Sequence, residues 1–317
     1  MANFYGQYVG FGAGGAAAPF VFGGTNYGYA SGSFAPPAPY SRDWIQKFSF
    51  SSDDNATDSG NLTVAVWGGA GIGNNVYGYC CGGYLHPAGP QNEINRFLFA
   101  SGGDAVEVGD LSQARSYPHA TSDKSTYAYI HGGEAPSKSD VIDRFSFASG
   151  TENAGDVGDL SVAASWCAGA STATHGYLAQ GWTGSSSTVI ERYAFAETSD
   201  SAGIGDLELG SGHGAAGVTS TTHGYYIRVA TANPAGQDIQ KYAFAASSDG
   251  AAIGDSPVAN ARYKSGTSST THGYLAGGHL TATTDGIEKF SLTSDEDSAA
   301  IADLYFGADE GQAGTEY

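Results

Sequence analysis

The residues best placed to do chemistry in this sequence are a row of cations. Lys47, Arg96, Arg144, Arg192, Lys241 and Lys289 each take the third place of a pattern Ile-x-Lys/Arg-Phe/Tyr-x-Phe/Leu, which begins at Ile45, Ile94, Ile142, Ile190, Ile239 and Ile287. They are six of only 13 Lys and Arg residues. A second row is acidic: Gly-Asp-Leu or a close variant supplies Asp110, Asp159, Asp206, Asp255 and Asp303, with Asn61 in the remaining copy. Cations and carboxylates that recur on one beat are expected to pair, copy by copy, and to pin strand to strand or unit to unit. Removing one partner of a buried pair costs about 3–5 kcal/mol, so the role expected of these rows is structural.

Other groups invite sharper chemistry and fit it less well. His175, His223 and His272 recur just before an aromatic residue, but one metal ion would need all three to converge, and their repeat position suits hairpin turns. The loops Ser52–Asp58, Glu152–Asp156 and Ser294–Asp297 are rich in carboxylates, the donors Ca²⁺ prefers, yet none has the full spacing of a calcium loop. Turn formation is the expected role, and no cofactor is implied. Cys80, Cys81 and Cys167 are odd in number, two of them adjacent, which is no disulfide framework; buried strand thiols are expected. No nucleophile elbow, HExxH or phosphate loop occurs. The chain therefore reads as a non-enzyme.

In a repeat protein, specificity resides where the copies differ. The most variable segments are 34–43, 84–93, 134–140, 182–188, 231–238 and 279–286, which are expected to share one face. Tyr84, His86, Trp182 and His279 are the candidate contacts there, because exposed aromatic rings stack on sugars or fill a partner's pocket.

The elements that position these residues follow from the beat itself. Successive Ile-x-Lys/Arg patterns start 49, 48, 48, 49 and 48 residues apart. An aromatic strand keeps the same time, at Tyr27-Gly-Tyr29, Tyr77-Gly-Tyr79, Tyr127-Ala-Tyr129, His175-Gly-Tyr177, His223-Gly-Tyr225 and His272-Gly-Tyr274. Each copy holds room for four short strands. In one of them, these are predicted near Trp166–Ala170, Gly176–Ala179, Val189–Phe195 and Ile204–Leu207. Sheets with aromatic faces must stack on one another, and a closed ring removes the exposed ends. The prediction is an all-β, six-bladed β-propeller over 16–304, with 18–23 as the first inner strand and 1–15 and 305–317 as arms.

Composition agrees. The 317 residues include 48 Gly and a single Met, and charged residues make up only 14%, which disfavours amphipathic helices. A net charge of −19 opposes nucleic acid and anionic lipid as partners. The N-terminal residues lack a basic segment followed by an apolar one, so neither a Sec signal nor membrane insertion is expected.

Tyr79…Gly82-Gly83…Phe97 and Tyr274…Gly277-Gly278…Phe290 resemble the kelch repeat, a propeller family. The match departs from the family in lacking a Trp in the fourth strands, and Gly-Gly is missing at 31–33 and 228–230. The wording of the copies is narrower: Thr271–Gly278, Ile142–Ser149 and Gly155–Ala163 look like repeats in structural proteins of marine tailed phages, including cyanophages. That resemblance implies a virion protein of the tail or surface, with other virion proteins and a host-surface glycan as partners. A carbohydrate-binding propeller unconnected with a virus is the alternative, and a kelch-type oxidase or lyase the third.

Overall fold

The computed structural model describes residues 24–179, 181–197, 199–211, 214–227, 237–257, 262–279, 284–306, 311 and 313–316. Among them there is no helix, and none that could cross a membrane. The strands form six antiparallel sheets of four. In the second blade the order from axis to rim is Ala70–Gly73, Tyr77–Leu85, Gly89–Leu98 and Val106–Asp110. The corresponding inner strands are His119–Ser122, Ala168–Ser171, Ala216–Thr219, Ser265–Ser268 and Ala313–Glu316. Each packs against the next, and the last packs against Ala70–Gly73, so the ring is closed. The protein is a six-bladed β-propeller.

Closure corrects one expectation. The inner strand of the first blade is Ala313–Glu316, which lies antiparallel to Tyr27–Phe34 with Tyr29 opposite Thr315. Residues 313–316 are therefore part of the ring and no arm. Joining the two ends of the chain in one sheet lets strand pairing seal the circle. The proposed strand at 18–23 and the arm at 1–15 lie outside the described residues.

The inner strands meet backbone to backbone. Gly71, Ala120, Gly169, Gly217, Gly266 and Gly314 occupy one position around the axis, and a Cβ at Gly71, Gly169, Gly217, Gly266 or Gly314 would strike a carbonyl oxygen of the neighbouring strand. Only small residues permit this approach, and they pinch the axial channel to a cavity of about 100 Å³.

Aromatic residues join blade to blade. Tyr29 packs on Phe97 and Phe99, Tyr79 on Phe145 and Phe147, Tyr129 on Tyr193 and Phe195, Tyr177 on Tyr242 and Phe244, Tyr225 on Phe290, and Tyr274 on Phe48 and Phe50. Several of these tyrosines also reach a carbonyl of the next blade: Tyr129 donates to Phe195 O at 2.9 Å and Tyr225 to Leu292 O at 3.0 Å. Those junctions thus combine ring burial with a directed bond.

A bulge repeats in the fourth strand of every blade, opposite the step that follows the third strand's Ile: Ile142 faces Gly158 and Asp143 faces Asp156. On the regular third strand the residue after the Ile shares a face with the aromatic residue two places on, and Gln46, Asn95, Asp143, Glu191, Gln240 and Glu288 are all buried. These side chains hold the preceding blade. Asn95 accepts from Thr63 N–H at 2.9 Å, Asp143 from Ser112 N–H at 3.0 Å, and Gln46 from Tyr305 N–H at 2.7 Å. Two of the acids also meet buried cations, Asp143 with Arg115 at 2.5 Å and Glu288 with Lys264 at 2.5 Å. Burial lowers the pKa of Arg115 and of Lys264, and the facing carboxylate opposes the shift in each.

The expected pairing of the two charged rows is corrected. Among the described residues, no ion pair links Lys47, Arg96, Arg144, Arg192, Lys241 or Lys289 to Asp110, Asp159, Asp206, Asp255 or Asp303. Arg96 lies opposite Val106 and Glu93 opposite Asp110, so cation and acid stand three strand residues apart, roughly 10 Å. Lys47, Arg96 and Arg144 instead cover the rings of Tyr27, Tyr77 and Tyr127. Where His replaces that Tyr, Lys241 and Lys289 reach Asp295 and Asp53 of the next blade. The acids of Gly-Asp-Leu work through their backbone: the N–H groups of Asn61, Asp110, Asp159, Asp206, Asp255 and Asp303 donate to Asp104, Asn153, Asp200, Asp249, Asp297 and Asn55 of the adjoining blade.

Candidate functional site

Antiparallel connectivity gives the ring two unlike faces. One carries the hairpins between inner and second strands, around 74–76, 123–126, 172–174, 220–222 and 269–271, and beside them the acidic loops between third and fourth strands. His175, His223 and His272 sit in these hairpins. Their backbone N–H groups donate to Thr172, Ser220 and Ser269, and each Nδ1 is bonded to the preceding Thr at 2.8 Å. Their pKa values are lowered, first by burial and then by Arg192, Lys241 and Lys289. Asn55, Asn153 and Asp297 of the supposed calcium loops are committed to the blade junctions above. No group of three metal-binding side chains occurs among the described residues.

The opposite face is built from the links that lead from one blade's outer strand to the next blade's inner strand. There Gly68, Tyr117, Trp166, Gly214, Tyr263 and Gly311 form a collar around the axial mouth, all with left-handed backbone, including φ of 56° at Tyr117, 61° at Trp166 and 64° at Tyr263. Hydrogen bonds join successive members: Gly68 N–H to Gly311 O, Tyr117 N–H to Gly68 O, Trp166 N–H to Tyr117 O, Tyr263 N–H to Gly214 O, and Gly311 N–H to Tyr263 O. Glycine accepts this conformation freely, whereas each bulky residue bears about 1–2 kcal/mol of strain. The collar therefore holds three aromatic side chains where glycine would be the easier choice.

The three rings touch. Tyr117 stacks on Trp166 at 3.4 Å between centroids, and Trp166 meets Tyr263 at 4.7 Å. Gly68 and Gly214 provide their seats, since a Cβ at either would collide with the ring of Tyr117 or Tyr263. Trp166 is buried, while Tyr117 and Tyr263 are half-buried. Beneath them lies a small cavity of about 50 Å³ that also touches His119 and Lys264. Burial in the channel lowers the His119 pKa to about 4.

The predicted contacts fall on this face. Tyr84, Trp182 and His279 are equivalent residues one step outside the collar, bridged to Trp67, Ser165 and Arg262 respectively. Glu134 holds the same place in the third blade, opposite Ser116. Lys138 covers the Trp182 ring at 5.9 Å. His86 lies further out, exposed and edge-on to Tyr40 at 5.1 Å. Tyr40 stacks on Phe34, Phe34 meets Trp67, and Trp67 meets both Tyr84 and Tyr117. His86, Tyr84 and the collar are thus joined by one run of aromatic contacts reaching from the rim to the axis. Most of segment 231–238 lies outside the described residues.

Sequence reasoning missed Tyr117, Trp166, Tyr263 and Trp67. The signal was present: positions 68, 117, 166, 214, 263 and 311 keep the repeat beat and hold only Gly or an aromatic residue. The cysteines are buried as expected, and burial raises the Cys80 and Cys167 thiols to about 12. No protein-family model matches this chain, and no curated protein matches it.

Proposed function

We propose that this propeller is a non-enzymatic structural and adhesion protein of a tailed-phage particle, seated on a neighbouring virion protein and presenting its aromatic face to a host-surface glycan. The observation that carries the reading is the asymmetry of the ring. One face gathers Phe34, Tyr40, Trp67, Tyr84, Tyr117, Trp166, Trp182 and Tyr263, while the other carries Ser, Thr and acidic loops, with Tyr27, Tyr77 and Tyr127 each lying under a Lys or Arg. Aromatic rings bordered by polar groups suit recognition through stacking and shape. The buried charged residues support a binding role over catalysis: Arg115, Asp143, Lys264, Glu191 and Glu288 are tied into blade junctions. The virion assignment rests on the resemblance of the repeat wording to phage structural proteins. It calls for no cofactor.

The test is mass spectrometry of purified particles carrying this gene, with antibody-labelled electron microscopy. Label on the tail or an exterior projection supports the reading. Its absence from intact particles overturns it.

A further inference from the structure

The collar has a feature that packing alone does not require. Three blades place Gly at the left-handed position, and the backbone bonds of the collar run through Gly68 and Gly311 as readily as through Tyr117 and Tyr263. The fold is thus served by glycine there. Tyr117, Trp166 and Tyr263 hold strained backbones, converge on one small mouth, and leave two rings half-open above a cavity of about 50 Å³. Strained residues of this kind cluster at ligand clamps.

We propose that the half-buried rings of Tyr117 and Tyr263, braced on the buried Trp166, form a stacking site for a single uncharged sugar ring at the end of a glycan. This deepens the glycan half of the functional reading and rests on it. The chemistry selects the ligand. The C–H faces of a pyranose pack on aromatic rings, as apolar surface does, while its hydroxyls need donors and acceptors at the edge. Beside the collar, the Glu134 carboxylate meets the Ser165 hydroxyl at 3.3 Å, and Lys138 stands over Trp182. A net charge of −19 disfavours sialylated or sulfated sugars. The mouth is narrow, pinched below by the inner-strand glycines, which fits a chain end better than the broad surface of a folded protein.

The test is titration of the full-length protein with neutral gluco-, manno- and galacto-oligosaccharides, read by tryptophan fluorescence and calorimetry, with sialylated and sulfated oligosaccharides alongside. Tyr117→Gly and Tyr263→Gly install the residue that other blades already carry, so both variants are expected to keep wild-type circular dichroism. Each should weaken neutral-sugar binding about tenfold or more, as loss of an aromatic hot spot does. Trp182→Ala, one step outside, should have the smaller effect. Wild-type binding that survives both collar variants but disappears in Trp182→Ala would overturn the collar site and leave glycan recognition by this face standing. A wild-type protein that binds only anionic sugars would overturn the collar site alone. One that binds none would overturn the collar site and the glycan reading together, leaving the virion role to be judged on particles.

Discussion

Replacing Asp143 by Ala isolates a buried ion pair at a blade junction. Asp143 is fully buried, receives the Ser112 N–H at 3.0 Å and faces the equally buried Arg115 at 2.5 Å. Arg115 also donates to the carbonyls of Gly132 at 3.1 Å, Val141 at 3.0 Å and Ile130 at 3.3 Å, which solvate the guanidinium without neutralising it. Asp143→Ala should therefore cost about 3–5 kcal/mol, the usual loss when one member of a buried pair is removed. Asp143→Asn keeps an acceptor for Ser112 and removes only the charge, so its loss should be smaller. The double replacement Arg115→Met with Asp143→Leu removes both charges and should recover most of the stability. Urea unfolding followed by circular dichroism measures all three, with midpoint and slope reported separately. A loss under about 1 kcal/mol for Asp143→Ala would refute the view that buried polar residues opposite the bulges hold the blades together.

Further outcomes follow from other junctions. Tyr129→Phe deletes the bond to Phe195 O and should cost about 1 kcal/mol, whereas Tyr79→Phe, whose hydroxyl reaches no carbonyl of the next blade, should cost less in the same unfolding assay. His131 is fully buried and its pKa is held well below the ordinary value, by burial first and then by His119 and Arg115. The unfolded chain takes up a proton near pH 6.5 that the folded ring refuses, so stability falls as pH drops below about 6.5. His131→Ile, the residue at the equivalent place in the fifth blade, should make that acid limb shallower in melting curves recorded from pH 7 to pH 5, with the remainder carried by His119, His175, His223 and His272. All three thiols should resist alkylation in the native protein and react on unfolding; rapid native labelling of Cys81 would contradict its burial.

The fold was legible because burial repeats. Ile45 and its five equivalents are fully or almost fully buried, and Tyr29 and its equivalents bridge the blades, so their even spacing marked six stacked sheets. The inner strands were harder to see. Ala-Gly-Ile and Ser-Gly-Thr carry no hydrophobic alternation, because their contacts are backbone on backbone. Ala313-Gly314-Thr315 keeps the same small-Gly-x form and beat, but it follows the last repeat, where it read as a tail. The charged rows misled because recurrence on one beat says nothing of distance along the strand: Arg96 faces Val106 while Asp110 faces Glu93, three residues away. Loop variation picked out Tyr84, Trp182 and His279, which lie one step outside the collar. The collar was overlooked because half its members are glycines, whose shared left-handed backbone shows only in the structure.

All of this requires the chain to close on itself through its last strand. Amide hydrogen exchange on the full chain and on a chain ending before Ala313 tests that most directly. Closure predicts that the truncation strips protection from Tyr27–Phe34 and from the flanking inner strands Ala70–Gly73 and Ser265–Ser268, or unfolds the ring outright. Unchanged protection in those three strands would contradict it.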